Sequence, residues 1–545
     1  PACCSTRGNT SGWDTVTAAM AEAQSGARRP LPASPSNRDS RRSLTRFPWL
    51  SAAASIVLAC PAVWAAKWDI VPTLSVVESY TDNIALSDDA SRQSDWVTTA
   101  VPGIRINAAG ARLRFNLNYA PEIVYYAHSR DDIEVFNKGS AFGIAELAKQ
   151  FLFIEGGALV NQYDISPRGP LTTSNINTTG NRATVANYFA SPYVRSSAGS
   201  QVQAEARYTY SLSKSDDQPE LVDSVGNAIN LRLASGPAYK VFTWNLSYHR
   251  ENIEYTGTQQ DQDTKIEVSS AGARRMITYT IALTAQGGYD YYKRGALVPA
   301  SEGWAWNVGM DWTPSPRTRL AAAAGERFYG DYYSFEFTHR TRLTTWSAGY
   351  NQTVTTTRSE FFIPSTTSTA AYLDTLFSAQ IPDPVARQKA VEDFIARTGL
   401  PPSLSSPVNF FTTQLFVARK WQASVGILGV RNVVIANVFS EDREGLAGDL
   451  VLPNAPNATK QLGTSLAWNW RMTPKNTLNA NGSYITVETP FIGQTDRYTY
   501  AGLSITRQFY PKLTGALGYR RQQSDPELGS GYTENVGFVS IQLRF

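Results

Sequence analysis

The sequence predicts an all-β protein, a transmembrane antiparallel β-barrel of about 22 strands, within a range of roughly 18 to 22. Three observations predict it. Apolar and polar residues alternate with period two, the alternating segments run about 9–13 residues, and short turns alternate with longer polar loops. The mean hydropathy of -0.28 argues against a helical membrane protein. We expect the barrel to lie in the bacterial outer membrane, with one long, partly helical loop interrupting its strands.

The alternation is clearest in segments 112–119, 201–212 and 461–470. Each segment places Leu, Val, Tyr or Trp mainly on one face and Arg, Asn, Gln or Glu mainly on the other. Strands of soluble sheets also alternate, but they usually have about 5–6 residues, so the greater length favours membrane-spanning strands. Tyr and Trp recur near the segment ends, as expected for aromatic girdles at the two membrane interfaces.

The first 65 residues differ from the rest of the chain. They contain seven Arg and three acidic residues, so 43 basic and 43 acidic residues remain in 66–545. The basic balance therefore belongs to the leader, and nothing in the charge supports binding of nucleic acid. All three cysteines lie in 1–60, which excludes a disulfide framework or a Cys metal site in 66–545.

Residues 41–65 are predicted to be a signal peptide. Arg41 and Arg42 begin a basic region, an apolar stretch follows, and small residues precede a cleavage site after Ala65. We expect residues 1–40 to be a disordered extension, or to result from a start codon that is assigned too far upstream. Residues 66–545 are expected to form the barrel. Two alternatives remain open, which are a single membrane anchor and lipid attachment at Cys60.

The longest connection between predicted strands is residues 359–408. Asp383 precedes a proline at a helix start, apolar residues including Phe394 follow at helical spacing, and Gly399 ends the pattern. A second short helix is predicted at 371–378. Two interpretations stay open. The loop folds into the barrel and constricts the lumen, or it caps the surface without any gating role.

The last strand ends at Phe545. Leu543, Ile541 and Val539 share its face, opposite Arg544. A terminal Phe on an alternating strand is similar to the recognition signal of the barrel-assembly machinery. The lipid bilayer, lipopolysaccharide and that machinery are therefore the expected partners.

Four arginines on the polar strand faces are predicted to line the lumen, namely Arg112, Arg114, Arg207 and Arg544. They are candidates for a selectivity lining that attracts anionic solutes. The alternative is a solvated face that is balanced by carboxylates such as Glu205. Because residues 66–545 carry equal numbers of acidic and basic residues, we favour this alternative.

Recognisable catalytic chemistry is absent from the sequence. The three histidines, His128, His249 and His339, are far apart, and none lies in a metal-binding motif. Ser211-Leu212-Ser213-Lys214 matches S-x-x-K without its companion motifs, and no nucleophile elbow or phosphate-binding loop occurs. We expect no enzyme activity, no metal and no cofactor. The remaining alternative is an outer-membrane hydrolase that uses His128 at the outer rim.

Three motifs resemble the PEP-CTERM system-associated outer-membrane proteins. They are V-V-E-S-Y-T-D-N-I-A-L at Val76–Leu86, V-P-G-I at 101–104 and G-A-R-L at 110–113. That family is found beside exosortase and exopolysaccharide genes. The resemblance spans roughly 67–545 and implies a barrel with that genomic association, but it supplies no catalytic residues. Asp82-Asn83 after a strand is also favourable turn chemistry, so a purely structural role for the first motif stays open.

The sequence therefore predicts a porin-like passage or anchoring component that is associated with exopolysaccharide and PEP-CTERM export. Exopolysaccharide or its export apparatus would then be a further partner. The alternative is a structural or adhesive barrel whose loops bind matrix, and an occluded lumen would favour it. These expectations rest on fold and resemblance, because a barrel alone does not specify a function.

Overall fold

The computed structural model describes residues 66–166, 169–215, 222–256, 262–296, 298–362, 414–446, 458–490 and 493–545. It also describes residues 373, 374, 377, 381, 387, 390, 391, 394 and 395. The predicted extension, the signal peptide with its cleavage site at Ala65, Asp383 and Gly399 lie outside the described residues. None of the helices in the described part is long and apolar enough to cross a membrane.

The described chain is almost entirely β-sheet, with a six-residue helix after one strand and further helical residues between positions 373 and 395. The strand segments are β1 (Lys67–Thr81), β2 (Asp95–Ala109), β3 (Leu113–Tyr119), β4 (Glu122–Tyr126), β5 (Glu134–Phe136), β6 (Gly139–Ala148), β7 (Leu152–Asp164), β8 (Arg182–Ala198), β9 (Val202–Ser215), β10 (Ser224–Ser235), β11 (Phe242–Tyr255) and β12 (Thr264–Met276). They continue with β13 (Ile281–Arg294), β14 (Ser301–Ser315), β15 (Thr318–Arg327), β16 (Gly330–Arg340), β17 (Thr344–Thr356), β18 (Leu415–Leu428), β19 (Asn432–Gly445), β20 (Ala458–Arg471), β21 (Asn476–Thr489), β22 (Gln494–Tyr510), β23 (Leu513–Pro526) and β24 (Tyr532–Arg544). The helix is α1 (Thr357–Phe362).

The sheet closes into a barrel because β1 pairs antiparallel with both β2 and β24. Segments β3 and β4 both pair with β2 and form one strand of the wall, interrupted at Pro121, which has no amide hydrogen to donate. Segments β5 and β6 likewise form one wall strand. The wall therefore has 22 antiparallel strands, which confirms the predicted fold class and strand number.

The outer surface of the wall is apolar and the inner surface is polar. Along β22, Leu503 and Ile505 point outward and are 50% and 45% exposed, whereas Gln494 and Asp496 are buried on the inner face. On β14, the outward Trp304 is 78% exposed. A closed barrel with such an outward apolar band satisfies its backbone internally and is stable in lipid. The protein is a bacterial outer-membrane barrel.

The two ends of the barrel differ. The short turns lie at the end where β1 begins and β24 finishes, and the longer connections lie at the opposite end. By the asymmetry of outer-membrane barrels, the first is the periplasmic end and the second is the outer end. Val539 and Ile541 of β24 point outward, and Phe545 is exposed at the periplasmic end. Recognition of this strand by the barrel-assembly machinery stays a prediction.

The Y-T-D-N-I motif lies at the seam between β1 and β24, where the barrel closes. Asp82 accepts hydrogen bonds from the backbone and side-chain amides of Asn535, both at 2.7 Å. Asn83 is fully buried and donates to the carbonyl oxygens of Ser87 at 2.7 Å and Thr533 at 3.1 Å. Its side-chain oxygen accepts the amide of Ser87 at 3.0 Å. The two residues therefore join the first strand to the last, which is a structural role.

We expect Asn83→Ala to lower the free energy of unfolding by about 1–3 kcal/mol, because buried polar groups at the seam lose their partner. Urea unfolding of the protein in phospholipid vesicles, followed by Trp fluorescence, measures this change. The control is Asp89→Ala in the same outer loop, where the side chain is 79% exposed and pairs only with Arg92. Its effect should stay below about 1 kcal/mol. Equal effects of the two substitutions would contradict the structural role of Asn83.

Candidate functional site

We call the segment between β17 and β18, residues 357–414, the long insert. Its described residues lie inside the lumen. It begins with α1 at the outer end of β17. All described residues at positions 373, 374, 377, 387, 390, 391, 394 and 395 are helical. The predicted partly helical loop is therefore confirmed over the described residues.

Arg358 fastens the start of the long insert to a distant part of the wall. Its side chain is 3% exposed and forms an ion pair with Glu251 at 3.4 Å. It also donates to the hydroxyl oxygens of Ser224 at 2.8 Å and Ser211 at 2.9 Å. These partners lie on β9, β10 and β11, whereas α1 follows β17, so the arginine reaches across the lumen. Burial lowers the pKa of the Arg358 guanidinium, and the nearby Glu251 carboxylate opposes this change.

Gly226 makes room for this contact. A Cβ at this position of β10 would lie 2.8 Å from a guanidinium nitrogen of Arg358 and 2.5 Å from the hydroxyl oxygen of Ser211. A glycine inside a strand often marks the close approach of another group. The glycine is thus the sequence signal that could have indicated an inward contact, although it does not identify Arg358 as the partner.

The rest of the long insert packs against the inner wall near the periplasmic end. Leu373, Phe377 and Val391 are 0%, 9% and 3% exposed. They form one apolar cluster with four wall side chains from β18, β19 and β20, which are Leu428, Val433, Ile435 and Ala467. Phe394 packs against this cluster and lies edge-on to Phe377, with ring centroids 5.5 Å apart. These described residues of the long insert therefore lie inside the lumen and do not cap the outer surface.

A second segment packs inward at the outer end. Residues 165–181, which we call the Asn loop, place Ile176 at 6% exposure in a cluster with Ile84, Val97 and other apolar side chains. Asn177 donates to the Glu534 carboxylate at 2.6 Å. By its composition this segment resembles an ordinary polar loop. The apolar residue between two asparagines was the only local signal of its burial.

Below the long insert, a cavity of about 1130 Å³ opens at the periplasmic end, and we call it the basic vestibule. Phe377 and Phe394 form part of its lining. Among the described residues, its lining contains no Asp or Glu but eight cationic residues, namely Arg317, Arg340, Arg342, Arg431, Arg471, Lys475, Lys512 and Arg544. Five of these residues, Arg317, Arg342, Arg431, Lys475 and Lys512, come one from each of five successive periplasmic turns.

The four arginines predicted to line the lumen occupy different places. Arg544 lies in the basic vestibule. Arg207 faces the lumen from β9 and forms ion pairs with Glu155 at 2.8 Å and Glu205 at 3.3 Å. Its guanidinium also lies 4.0 Å from the ring centroid of Tyr193. Paired carboxylates thus balance Arg207, as the alternative interpretation expected.

The other two predicted arginines lie at the periplasmic end of the wall. Arg112 is exposed in the turn before β3, and Arg114 is exposed on the polar face of β3. Neither belongs to the lining of the basic vestibule. The structure therefore does not bring the four arginines together.

We expect Arg207→Gln to shift the ion selectivity of the lumen toward cations, because Glu155 then lacks its compensating charge. Reversal potentials across a planar bilayer under a KCl gradient measure this shift, with residues 360–407 deleted so that the lumen is open. The control is Arg507→Gln, which removes a cation from the outward face beside Phe509. A shift of the same size with the control would contradict a lumenal role for Arg207.

The three histidines have ordinary polar contacts. His249 faces the lumen, with Nδ1 2.7 Å from the side-chain oxygen of Asn230. His128 lies at the outer rim, 3.1 Å from a carboxylate oxygen of Asp95. His339 lies near the end of β16, 2.9 Å from the hydroxyl oxygen of Thr318. Within the described part of the chain, no three His, Cys, Asp or Glu residues lie close enough together to hold a metal ion.

No model of a known protein family matches the chain, and no curated protein matches it. Solved structures of outer-membrane proteins are similar in fold. The FrpB iron transporter from Neisseria meningitidis is 9% identical with a TM-score of 0.47, over 88% of this chain and 83% of that chain. The ferric-catecholate import receptor Fiu from E. coli K12 is 9% identical with a TM-score of 0.46, over 87% and 81%. The siderophore receptor PiuA from Acinetobacter baumannii is 8% identical with a TM-score of 0.46, over 87% and 82%.

Proposed function

We propose that this barrel is a passage for exopolysaccharide across the outer membrane, closed at rest by its own inward segments. The observation that carries the proposal is the long insert, which packs against the inner wall above the basic vestibule. A barrel of this width leaves an aqueous channel unless something fills it. An occluded lumen also suits the structural or adhesive barrel expected from the sequence, which therefore stays the second candidate function. We favour the passage because the occluding segment is a loop of the same chain that can leave the lumen without disturbing the strand pairing.

The inner wall offers surfaces that suit a sugar chain. Phe142 and Phe189 face the lumen with ring centroids 6.5 Å apart, and Phe153 stacks on Tyr193 with centroids 5.0 Å apart. These rings lie on β6, β7 and β8, so they form a path along the wall. Aromatic rings provide broad apolar contact for the carbon-bound hydrogens of sugars, while neighbouring polar residues bind hydroxyl groups.

The resemblance to the PEP-CTERM system-associated proteins supports the same substrate class. In this proposal the protein acts beside exosortase and exopolysaccharide genes, and the partners are the polysaccharide and its export apparatus. The seam contacts of Asp82 and Asn83 give the shared motif a structural role within such a barrel. The barrel-assembly machinery and lipopolysaccharide are the further partners that we propose from the membrane location.

Deletion of the gene in its own host, with complementation, tests the proposal. We expect exopolysaccharide in the medium to fall several-fold and periplasmic polysaccharide to rise. An anchoring component would instead leave total secretion unchanged and reduce only the share that stays attached to the cell. Unchanged amounts in all fractions would contradict a role in exopolysaccharide export.

A further inference from the structure

We propose that the basic vestibule binds an acidic polysaccharide, a linear chain with regularly spaced carboxylates, from the periplasmic side. The proposal deepens the passage described above and rests on it only for the direction of entry. Binding itself depends on the cations of the vestibule and on its polar wall, and it can be measured without any transport.

The charge of the basic vestibule is unlike that of the rest of the lumen. Elsewhere some lumenal arginines pair with carboxylates, as Arg207 does with Glu155 and Arg327 does with Asp290, and others such as Arg114 lie apart from the vestibule cations. Within the described part of the chain, Arg317, Arg342 and Arg431 form no such ion pair. Like charges around one cavity repel each other, so an anion that enters beside Arg317, Arg342 and Arg431 relieves this repulsion.

The cations are arranged in a row along the rim and are not clustered at one position. Successive periplasmic turns are two wall strands apart, which corresponds to about 10 Å at the usual spacing of strands. Arg317, Arg342, Arg431, Lys475 and Lys512 therefore follow one side of the rim from β14 to β23 at regular intervals. A row of this kind suits a linear polymer with repeated charges better than it suits a compact anion with a single charge.

The wall between the cations favours a ligand that carries hydroxyl groups. Thr477, Thr506, Gln508, Thr514 and Gln542 line the same cavity with uncharged donors and acceptors. Such groups bind sugar hydroxyls, which a chain of phosphates lacks. The volume of about 1130 Å³ exceeds the upper end of the usual range for small-molecule sites, about 1,000 Å³, and leaves room for several sugar rings.

Basic turns at a membrane rim also suit the headgroups of anionic phospholipids. The vestibule cations differ from such a patch because they line an inward cavity together with polar residues of the inner wall. Three of them, Arg340, Arg471 and Arg544, lie at strand ends rather than in turns. The geometry therefore favours a ligand inside the barrel.

The test measures binding of a fluorescent oligogalacturonate of about ten residues to the protein 66–545 in nanodiscs. The variant is Arg317→Gln/Arg342→Gln/Arg431→Gln. The matched control is Lys149→Gln/Lys240→Gln/Arg275→Gln, which removes three charges from the same end of the barrel outside the vestibule lining. We expect the dissociation constant to rise about tenfold or more in the first variant at about 0.1 M salt, and less than about threefold in the control.

Two probes and one further measurement complete the test. A neutral malto-oligosaccharide of equal length should bind much more weakly than oligogalacturonate, and linear polyphosphate of equal charge should bind more weakly than the acidic sugar. Equal losses in both triple variants, or equal binding of the neutral sugar, would overturn the proposal. Tighter binding of polyphosphate would overturn the choice of a sugar.

Native mass spectrometry of the same proteins reports bound anionic phospholipid. Loss of phospholipid from the vestibule variant with unchanged oligogalacturonate affinity would assign the cations to the membrane and overturn the proposal. If oligogalacturonate binds specifically but deletion of the gene causes no export defect, the passage function is contradicted and the binding site is not. The two failures are therefore distinguishable.

Discussion

Deletion of residues 360–407 is expected to turn a nearly silent barrel into a steadily conducting one. Described residues of the long insert lie in the lumen and pack on Leu428, Val433 and Ile435, so its removal leaves a wider channel that only the Asn loop narrows at the outer end. We expect the single-channel conductance of refolded 66–545 in planar bilayers to rise at least several-fold. Strand pairing is independent of the deleted residues, so the barrel itself should still fold.

Deletion of 448–456, from a different outer loop, controls for shortening the chain at the same end. It should leave the conductance close to that of the intact protein. If neither the intact protein nor the protein without 360–407 conducts, the passage function is contradicted and an anchoring or adhesive role remains. High conductance of the intact protein would show that the long insert does not restrict the lumen.

The second large effect is expected at the contact between Arg358 and Glu251. Arg358→Met leaves the Glu251 carboxylate in the lumen without its partner, and breaking a buried pair in this way costs about 3–5 kcal/mol. Because the wall strands keep their own hydrogen bonds, the cost should release the long insert rather than unfold the barrel. Trypsin added from outside should then cleave at Arg387 and Arg397 much faster than in the unsubstituted protein.

The double variant Arg358→Met/Glu251→Gln separates the ion pair from the general loss of packing. Its effect on the cleavage rate should be smaller than the sum of the two single effects, because neither charge is left alone. Arg419→Met is the control, since Arg419 pairs with Glu444, whose side chain is 61% exposed. An additive double variant, or equally fast cleavage with the control, would show that the ion pair does not hold the long insert.

The barrel could be predicted from the sequence because its determinants are local. Each strand needs only alternation along itself, as in 461–470, and each turn needs only a few residues, as at Pro511 and Lys512. Closure then follows, since membrane-spanning strands cannot leave an open edge in lipid. The strand count depended on the order of short turns and longer loops, which the chain keeps at most connections; the two-residue outer turn between β15 and β16 is an exception.

The occupied lumen could not be predicted in the same way. Whether the long insert enters the barrel depends on the match between its apolar residues and a few apolar residues on an otherwise polar face. Val433 and Ile435 on that face are visible in the sequence, but nothing local links them to Val391. The Asn loop poses the same difficulty, since its contact from Asn177 to Glu534 joins residues more than 350 positions apart.

The basic vestibule also could not be predicted from the sequence, although the cationic residues that form it are visible there. Periplasmic turns with one cation each can be read from the chain, as at Arg317, Arg342 and Lys475. Their convergence on one cavity is a consequence of closure and of the long insert above them. Of the four arginines predicted to line the lumen, only Arg544 lies in the basic vestibule. Arg207 faces the lumen farther along β9, where two carboxylates pair with it.

Cross-linking tests the position of the long insert most directly, since residues 66–545 contain no cysteine. Val391→Cys combined with Val433→Cys should form an intramolecular cross-link with a short bismaleimide in outer membranes, and conductance should then stay low. Val391→Cys with Val536→Cys, near the outer end, should not cross-link. No cross-link in the first pair, with Val391→Cys labelled from outside by a membrane-impermeant maleimide, would contradict a lumen that is closed by its own insert.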